Sequence, residues 1–199
     1  KPQLPNFEWS RLPANQRTAT KRIQQCNWAQ AVEGGIDSSH ISFLHNRTSK
    51  QTSPVDAVTG NKYHAQDRHP VFEVKEQEAG LLIAARRNAE PGHYYWRVTQ
   101  FLLQFYTMIP PVGNFRDSSQ APYDGHAWVP IDDHTTWTWS FGVHPHRPFT
   151  PEEADFRGGP NGMWGPIDEN YMPLRNKEND YMLDRHKQRH VNFTGIDGI

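Results

Sequence analysis

From Thr135 to Val143 the chain alternates without a break: Trp137, Trp139, Phe141 and Val143 fall on one side, Thr136, Thr138 and Ser140 on the other. Successive side chains of a strand point to opposite faces, so this pattern predicts an extended strand with two unlike surroundings. The neighbours it needs are also legible. Gly125 to Ile131 forms a hairpin with it around Asp132-Asp133, and Val71 to Gln77 pairs with Leu81 to Arg87 around Ala79-Gly80. Tyr94 to Met108 reads as one long strand that stops before Pro110-Pro111.

Helical signals flank these strands. In Arg17 to Gly34, Ile23, Trp28, Ala31 and Val32 recur at roughly helical spacing until Gly34-Gly35 interrupts them. A second short helix is expected from Asp37, with Asp37 as its N-cap. Thr150-Pro151-Glu152-Glu153 is a capping box with proline at the first helical position, and Asn179 to His190 returns to helix. Lys1 to Asn15, with three prolines, reads as an extended linker; Asn46 to Pro70 is a long polar loop or lid; Gly158 to Pro166 is irregular. Helices on either side of a run of antiparallel strands give an α+β domain whose sheet is covered by helices.

Composition closes off several function classes. The 199 residues suffice for one domain with a real core, and seven tryptophans offset a hydrophobic content of only 35%. A net charge of -1, with both signs mixed, gives no footprint for nucleic acid or an anionic membrane. No apolar run approaches the roughly 20 residues of a membrane span. Cys26 is the one cysteine, which excludes an internal disulfide and a cysteine-held iron–sulfur cluster in this stretch. It reads as a small buried residue.

The candidate chemistry lies in Asp37, His40 and His45. Neutral imidazoles with a carboxylate suit ferrous iron, zinc or copper, and two histidines plus one acid is the donor set of oxygen-activating non-haem iron. A separation of five turns the second ring about 140° from the first on an ideal helix, at roughly 100° per residue. If both bind one ion, the helix must end or bulge between them. Competing pairs are His186 with His190 and His144 with His146, both read as surface histidines among Arg, Lys or Pro. Asn46-Arg47-Thr48 and Asn192-Phe193-Thr194 match the glycosylation pattern, with no secretion signal beside them.

The segment Asn-Trp-x-Gln-x-x-Glu-Gly-x-x-Asp-x-x-His-x-x-x-Leu-His, Asn27 to His45, resembles the iron-binding segment of the Rieske-type ring-hydroxylating oxygenases. The branch is that of phthalate 4,5-dioxygenase and phenoxybenzoate dioxygenase. The resemblance runs from Pro5-Asn6-Phe7-Glu8-Trp9 through Asn179-Asp180-Tyr181 to Phe193-Thr194-Gly195-Ile196. It implies a helix-grip fold with a curved antiparallel sheet around a long helix. Residues 1–15 would then be the linker from a Rieske domain absent here, and 16–199 a mononuclear iron domain truncated at its C-terminus.

By the same resemblance, His40, His45 and Asp180 would hold mononuclear Fe(II). Asp184 lies one helical turn beyond Asp180, so spacing alone does not separate the two acids. Asp37 would orient His40 and bridge electrons from a Rieske [2Fe-2S] cluster in the neighbouring subunit. Some relatives carry Asn where this chain has Glu33. The implied reaction uses O2 and NADH-derived electrons delivered by a reductase, with or without a ferredoxin, to hydroxylate an aromatic compound. The implied assembly is a homotrimer or stacked trimers in the bacterial cytoplasm.

For substrate, Arg97 shares a strand face with Phe101, Leu103 and Phe105, and a cation there needs a partner, either a structural acid or a substrate carboxylate. Arg68 is a second cation, and Ile41, Phe105 and Trp137 are candidate pocket walls, with Phe43, Trp96 and Trp139 lining or underlying it. Two other classes fit the same residues: a ligand-binding helix-grip module without chemistry, and a zinc hydrolase.

Overall fold

Two tight hairpins anchor the architecture. β2 (Val71–Gln77) pairs with β3 (Gly80–Asn88) through a two-residue turn, and β6 (Tyr123–Pro130) pairs with β7 (Thr136–Val143). These are the strands expected from the alternation of Thr135 to Val143 and from the two turns, within two residues at each end. The computed structural model describes residues 6–44, 61–110, 121–159, 162–192 and 194–196. Within these residues seven antiparallel strands form one open sheet in the order β1-β7-β6-β5-β4-β3-β2.

Three expectations are corrected. Arg17–Gln24 is not helix but β1, paired with β7 along its whole length from Arg17↔Val143 to Gln24↔Thr136. Its β-branched Thr18, Thr20 and Ile23 favour the pleated surface that β7 offers. The strand expected from Tyr94 to Met108 is two, β4 (Tyr94–Leu102) and β5 (Tyr106–Ile109), folded back on each other with Phe101 opposite Thr107. Residues 8–11 and 14–16 form short 3-10 turns rather than an extended linker, and Phe7 and Trp9 stack on each other and onto Tyr106 and Phe141 of the sheet.

The register sorts the side chains into two faces. One face carries Arg22, His126, Trp128, Thr107, Phe101, Arg97 and Arg87, and the helices pack there. α1 (Trp28–Ile36) lays Ala31 and Val32 on Trp128, with Phe101 and Phe105 beside them. It begins at Asn27, whose side chain accepts from the Ala29 amide, and runs through Gly34 and Gly35 to Ile36. Gly35 is required by close approach: a Cβ there would lie 3.0 Å from Thr107 Oγ1 and 3.2 Å from Trp128 Nε1. α2 (Asn61–Gln66) covers the end of β3, and α3 (Pro151–Gly158) opens with the expected Thr150–Glu153 capping box and rests on β1. α4 (Arg185–His190) follows a 3-10 turn at 177–182. The longest of these helices has nine residues, so none among the described residues is long and apolar enough to cross a membrane.

The opposite face is aromatic: Trp137, Trp139, Phe141 and Tyr106 point there, and Lys21 lies 3.8 Å from the centre of the Trp137 ring.

Candidate functional site

The sheet and α1 position one compact polar neighbourhood, where α1 ends. Asp37 closes the helix through its amide, which donates to Glu33 O. Its carboxylate then turns forward: Oδ1 accepts from the Ser39 amide at 2.6 Å, and Oδ2 from the His40 amide at 3.1 Å. The same Oδ2 lies 3.3 Å from His40 Nδ1. Burial works against the Asp37 charge, but the Ser39 and His40 amides and the His40 ring outweigh it and hold the carboxyl below its usual value. The chain therefore leaves the helix before His40, which starts a 3-10 turn (His40–Ser42) rather than the expected helix capped by Asp37.

A buried arginine braces this turn. Arg87, on β3, is 0% exposed and donates to Ser38 O at 2.6 Å, Ser38 Oγ at 3.3 Å, Ser42 Oγ at 3.2 Å and Asp67 O at 3.1 Å. Asp67 in turn accepts from the Asn88 amide and side chain, both at 2.8 Å. Every hydrogen-bond acceptor of the Arg87 guanidinium is neutral, and the Asp67 and Asp37 carboxylates act on its charge without bonding to it. Burial pushes its pKa down, as does neighbouring Arg97, while Tyr95, Asp67 and Asp37 work the other way. Arg87, Asp67, Ser38 and Ser42 were not singled out from sequence. One signal was available: Arg87 falls in step with Leu81, Ile83 and Ala85 on the helix-bearing face of β3.

Arg97 sits beside it on β4, 5% exposed. Burial pushes its pKa down, while Tyr95, which shares a side-chain hydrogen bond with it, works the other way. Arg97 Nη2 donates to Pro110 O at 3.3 Å, and its Nε has no partner. No ion pair among the described residues includes Arg97 or Arg87, so the structural acid expected for Arg97 is not found there. His64, on α2, is the third member: 6% exposed, with Nε2 unpartnered and its ring edge-on to Tyr95. Its pKa is pushed down to about 4 by burial first and then by Arg97 and Arg87.

The remaining expected site residues scatter. Ile41 is half-buried in the His40 turn, and exposed Arg68 stands 5.8 Å from the centre of the neighbouring Phe43 ring. Phe105 lies in the β4–β5 turn and packs with Phe101 against the core of Ala31, Val32 and Trp128. Trp137 points to the opposite face of the sheet, which removes it from any pocket shared with Arg97. His45 lies outside the described residues.

Asp180 is exposed and held by Arg185, with Oδ1 and Oδ2 each 2.7 Å from Nη2. It has φ 49°, and Tyr181 and Met182 follow at 56° and 52°, so the expected continuous helix from Asn179 is broken. Asp184 caps α4 by accepting from the Lys187 amide at 2.9 Å. The break removes the shared helix face on which the two acids were indistinguishable.

Asp180's segment packs near Gln25, beside an open depression of about 420 Å³ lined by Arg22, Gln25, Cys26, Arg175, Asn176 and Tyr181. No described contact joins it to His40, and no group of three His, Cys, Asp or Glu among the described residues is disposed to hold a metal. Of the competing histidines, His186 and His190 lie side by side on α4, whereas His144 is buried rather than at the surface.

Residues 1–199 match, end to end, the family described as LigXa C-terminal domain like. The chain belongs to that family. It is 32% identical over 215 residues to the 3-chlorobenzoate-3,4-dioxygenase oxygenase subunit of Comamonas testosteroni, covering all of this chain and 47% of the relative. It is 33% identical over 188 residues to the phthalate 4,5-dioxygenase oxygenase subunit of Pseudomonas putida, covering 90% of this chain and 40% of that one. The chain thus spans less than half the length of these curated relatives. In fold it is similar to dicamba monooxygenase bound to 3,6-dichlorosalicylic acid, at a TM-score of 0.50 and 12% identity over 75% of this chain and 45% of that one. The LigXa C-terminal domain family therefore joins this chain to the Rieske-type oxygenase catalytic domains that its sequence resembles, and the antiparallel sheet agrees.

Proposed function

We propose that this chain is the catalytic domain of a Rieske-type oxygenase that hydroxylates an aromatic compound. The observation that carries the reading is the Asp37–His40 pair at the end of α1, in a chain about one-third identical to two aromatic dioxygenase oxygenase subunits. The Asp37–His40 part of the donor set fits the group. A metal-bound imidazole characteristically gives its second nitrogen to a carboxylate, and Asp37 occupies that position on Nδ1 of His40. The ligating atom would be Nε2 of His40, joined by His45 and by the Asp180 carboxylate. Bound there, ferrous iron supplies dioxygen activation, fed by electrons from a reductase and a Rieske cluster.

The chain's own residues do the positioning. Asp37 fixes the tautomer and direction of the His40 ring, and its exposed edge suits it to meet a neighbouring subunit, as a trimer requires. Arg87 locks the turn from below through Ser38 and Ser42. Asp180 is held in a left-handed run of non-glycine residues, at about 1 kcal/mol or more each, and such strain concentrates at functional sites. Arg185 would have to release the Asp180 carboxylate for it to serve as a ligand.

Metal analysis of the full-length protein tests this reading against the two others. About one iron per chain supports the oxygenase, zinc the hydrolase and no metal the binding module. Nitric oxide added to the ferrous protein should give its paramagnetic signal, lost in both His40→Ala and His45→Ala. Persistence of that signal in either variant removes the ligand assignment. Product analysis with a reductase and a panel of benzoates identifies the substrate and separates mono- from dioxygenation.

A further inference from the structure

The two edges of the sheet are treated differently. At β1 the Ile23 amide donates to Tyr171 O at 2.9 Å, so a later segment of the chain lies against that edge. β2 stands at the other edge. All seven of its residues are exposed, with Val71 at 52%, Phe72 at 41% and Val74 at 60%. Among the described residues, none of the seven bonds to a main-chain group beyond β3. Which groups point outward follows from the hairpin. Its turn is two residues long, so Gln77 and Gly80 close it as a hydrogen-bonded pair. Counting back by twos, Lys75, Glu73 and Val71 direct their amides and carbonyls to β3. Phe72, Val74 and Glu76 direct theirs away from the sheet. A strand of this length, with apolar side chains beside unpaired main-chain groups, is a template for another strand.

We infer that β2 pairs antiparallel with β2 of a second copy of this chain, about a two-fold axis through Val74. In that register Phe72 meets the partner's Glu76, Val74 meets the partner's Val74, and Glu76 meets the partner's Phe72. These are the residues whose main-chain groups point outward, and together they exchange about six hydrogen bonds. Between them Glu73 falls opposite the partner's Lys75, and Lys75 opposite the partner's Glu73. Those are the non-hydrogen-bonded pairs, in which facing side chains come closest. Moving the axis one residue either way still pairs the outward groups, but it sets Glu73 on the partner's Glu73 or Lys75 on the partner's Lys75. The order of charges therefore selects a single register. It also explains why an edge with three exposed apolar residues carries charge at these two positions: they oppose slipped pairing and favour this one. The contact is isologous, so it closes on itself as a pair and is not the head-to-tail contact of a ring. It stands on the exposure and charge order of β2 and not on the oxygenase reading.

The test is sedimentation velocity of the full-length protein across a range of concentrations, with hydrogen exchange at the two extremes. The wild-type protein should assemble in even numbers of chains and separate on dilution, because one strand pair is a small interface. Glu73→Lys and Lys75→Glu each create two like-charge contacts across the axis, and each should weaken the assembly by about tenfold. The double variant Glu73→Lys/Lys75→Glu restores opposite charges and should return to within about threefold of wild type. Both positions are exposed, so these substitutions leave the fold intact. The amides of Phe72, Val74 and Glu76 should exchange slowly in the assembly and fast on dilution, while those of Glu73 and Lys75, bonded to β3, stay slow throughout. A monomer or an odd-numbered assembly at every concentration overturns the inference. So does an even-numbered assembly unmoved by either single variant, or a double variant no better than the singles. Protection of the three outward amides that does not change on dilution shows that another segment of the full-length protein covers the edge, and it overturns the inference as well.

Discussion

Replacing Asp37 by Asn is the substitution that bears hardest on the proposed centre. The carboxylate makes three separate contacts: Oδ1 with the Ser39 amide, and Oδ2 with both the His40 amide and His40 Nδ1. Asn offers one oxygen, so the Ser39 bond survives while an NH2 group replaces Oδ2. An amide donor then faces the His40 amide donor, and one of the turn's closing bonds is lost. Each lost bond to a charged acceptor is worth about 1.5–3 kcal/mol when buried. Asp37's side chain is 40% exposed, so solvent screening brings the expected loss to roughly 1–2 kcal/mol for the turn. The tautomer effect is larger in consequence. Asp37 favours the proton on Nδ1 of His40 and the lone pair on Nε2, whereas an Asn NH2 favours the reverse and turns a ligand into a donor. Iron affinity should fall by about tenfold, the low end for lost outer-sphere carboxylates, leaving iron bound when supplied in excess. Electron delivery to that iron should slow further still, because the charged bridge is gone. Competitive chelator titration reads the affinity, and stopped-flow oxidation of the Rieske cluster in single turnover reads the delivery. If both stay within about twofold of wild type, Asp37 is only a helix terminator and the bridging role is wrong.

Other outcomes follow from the same contacts. Burial, then Arg22, pushes the pKa of His126 from 6.5 down to about 4, and its ring is fixed by Ser140 Oγ at 3.0 Å and by Trp128 and Trp164. The unfolded chain therefore takes up this proton first on acidification. Stability should be complete above pH 6.5 and fall towards pH 4, by up to about 3 kcal/mol for a shift of this size, and His126→Gln should flatten that slope in urea titrations across pH. Arg185→Gln releases the Asp180 carboxylate, so iron affinity should rise about three- to tenfold; no change would indicate that Asp180 is not a ligand. Gly35→Ala pushes a methyl against Thr107 Oγ1 and Trp128 Nε1 and should cost about 1–3 kcal/mol, seen as a lower Tm. Thr150→Ala removes the cap of α3 and should cost about 1 kcal/mol, or roughly 2–4 °C in a domain of this size.

What the sequence made legible follows from where polarity and burial agree. β7 was readable because it carries period two, β2, β3 and β6 because turn residues at Ala79-Gly80 and Asp132-Asp133 mark their hairpins, and the α3 cap because Thr150 and Glu153 satisfy each other locally. β1 was not, because its helix-bearing face is Thr18, Thr20, Arg22 and Gln24, polar residues covered by particular partners. Arg22 lies over Trp164 and donates to its carbonyl, and Gln24 accepts from Thr138. With the polar side turned inward, Ile23 lost its context and joined Trp28, Ala31 and Val32 in an accidental helical spacing. The candidate site divides the same way. Asp37 and His40 are three residues apart, so a local turn fixes their meeting. Arg87, Arg97 and His64 meet only because the β3–β4 register sets Ala85 opposite Arg97 and Arg87 opposite Tyr95, and because α2 folds down beside them. Of the three, only Arg97 stood out in the sequence, by sharing a strand face with Phe101. It is the sheet that turns both arginines inward, and α2 that sets His64 against Tyr95, so their meeting is a property of the register and not of any local run of residues.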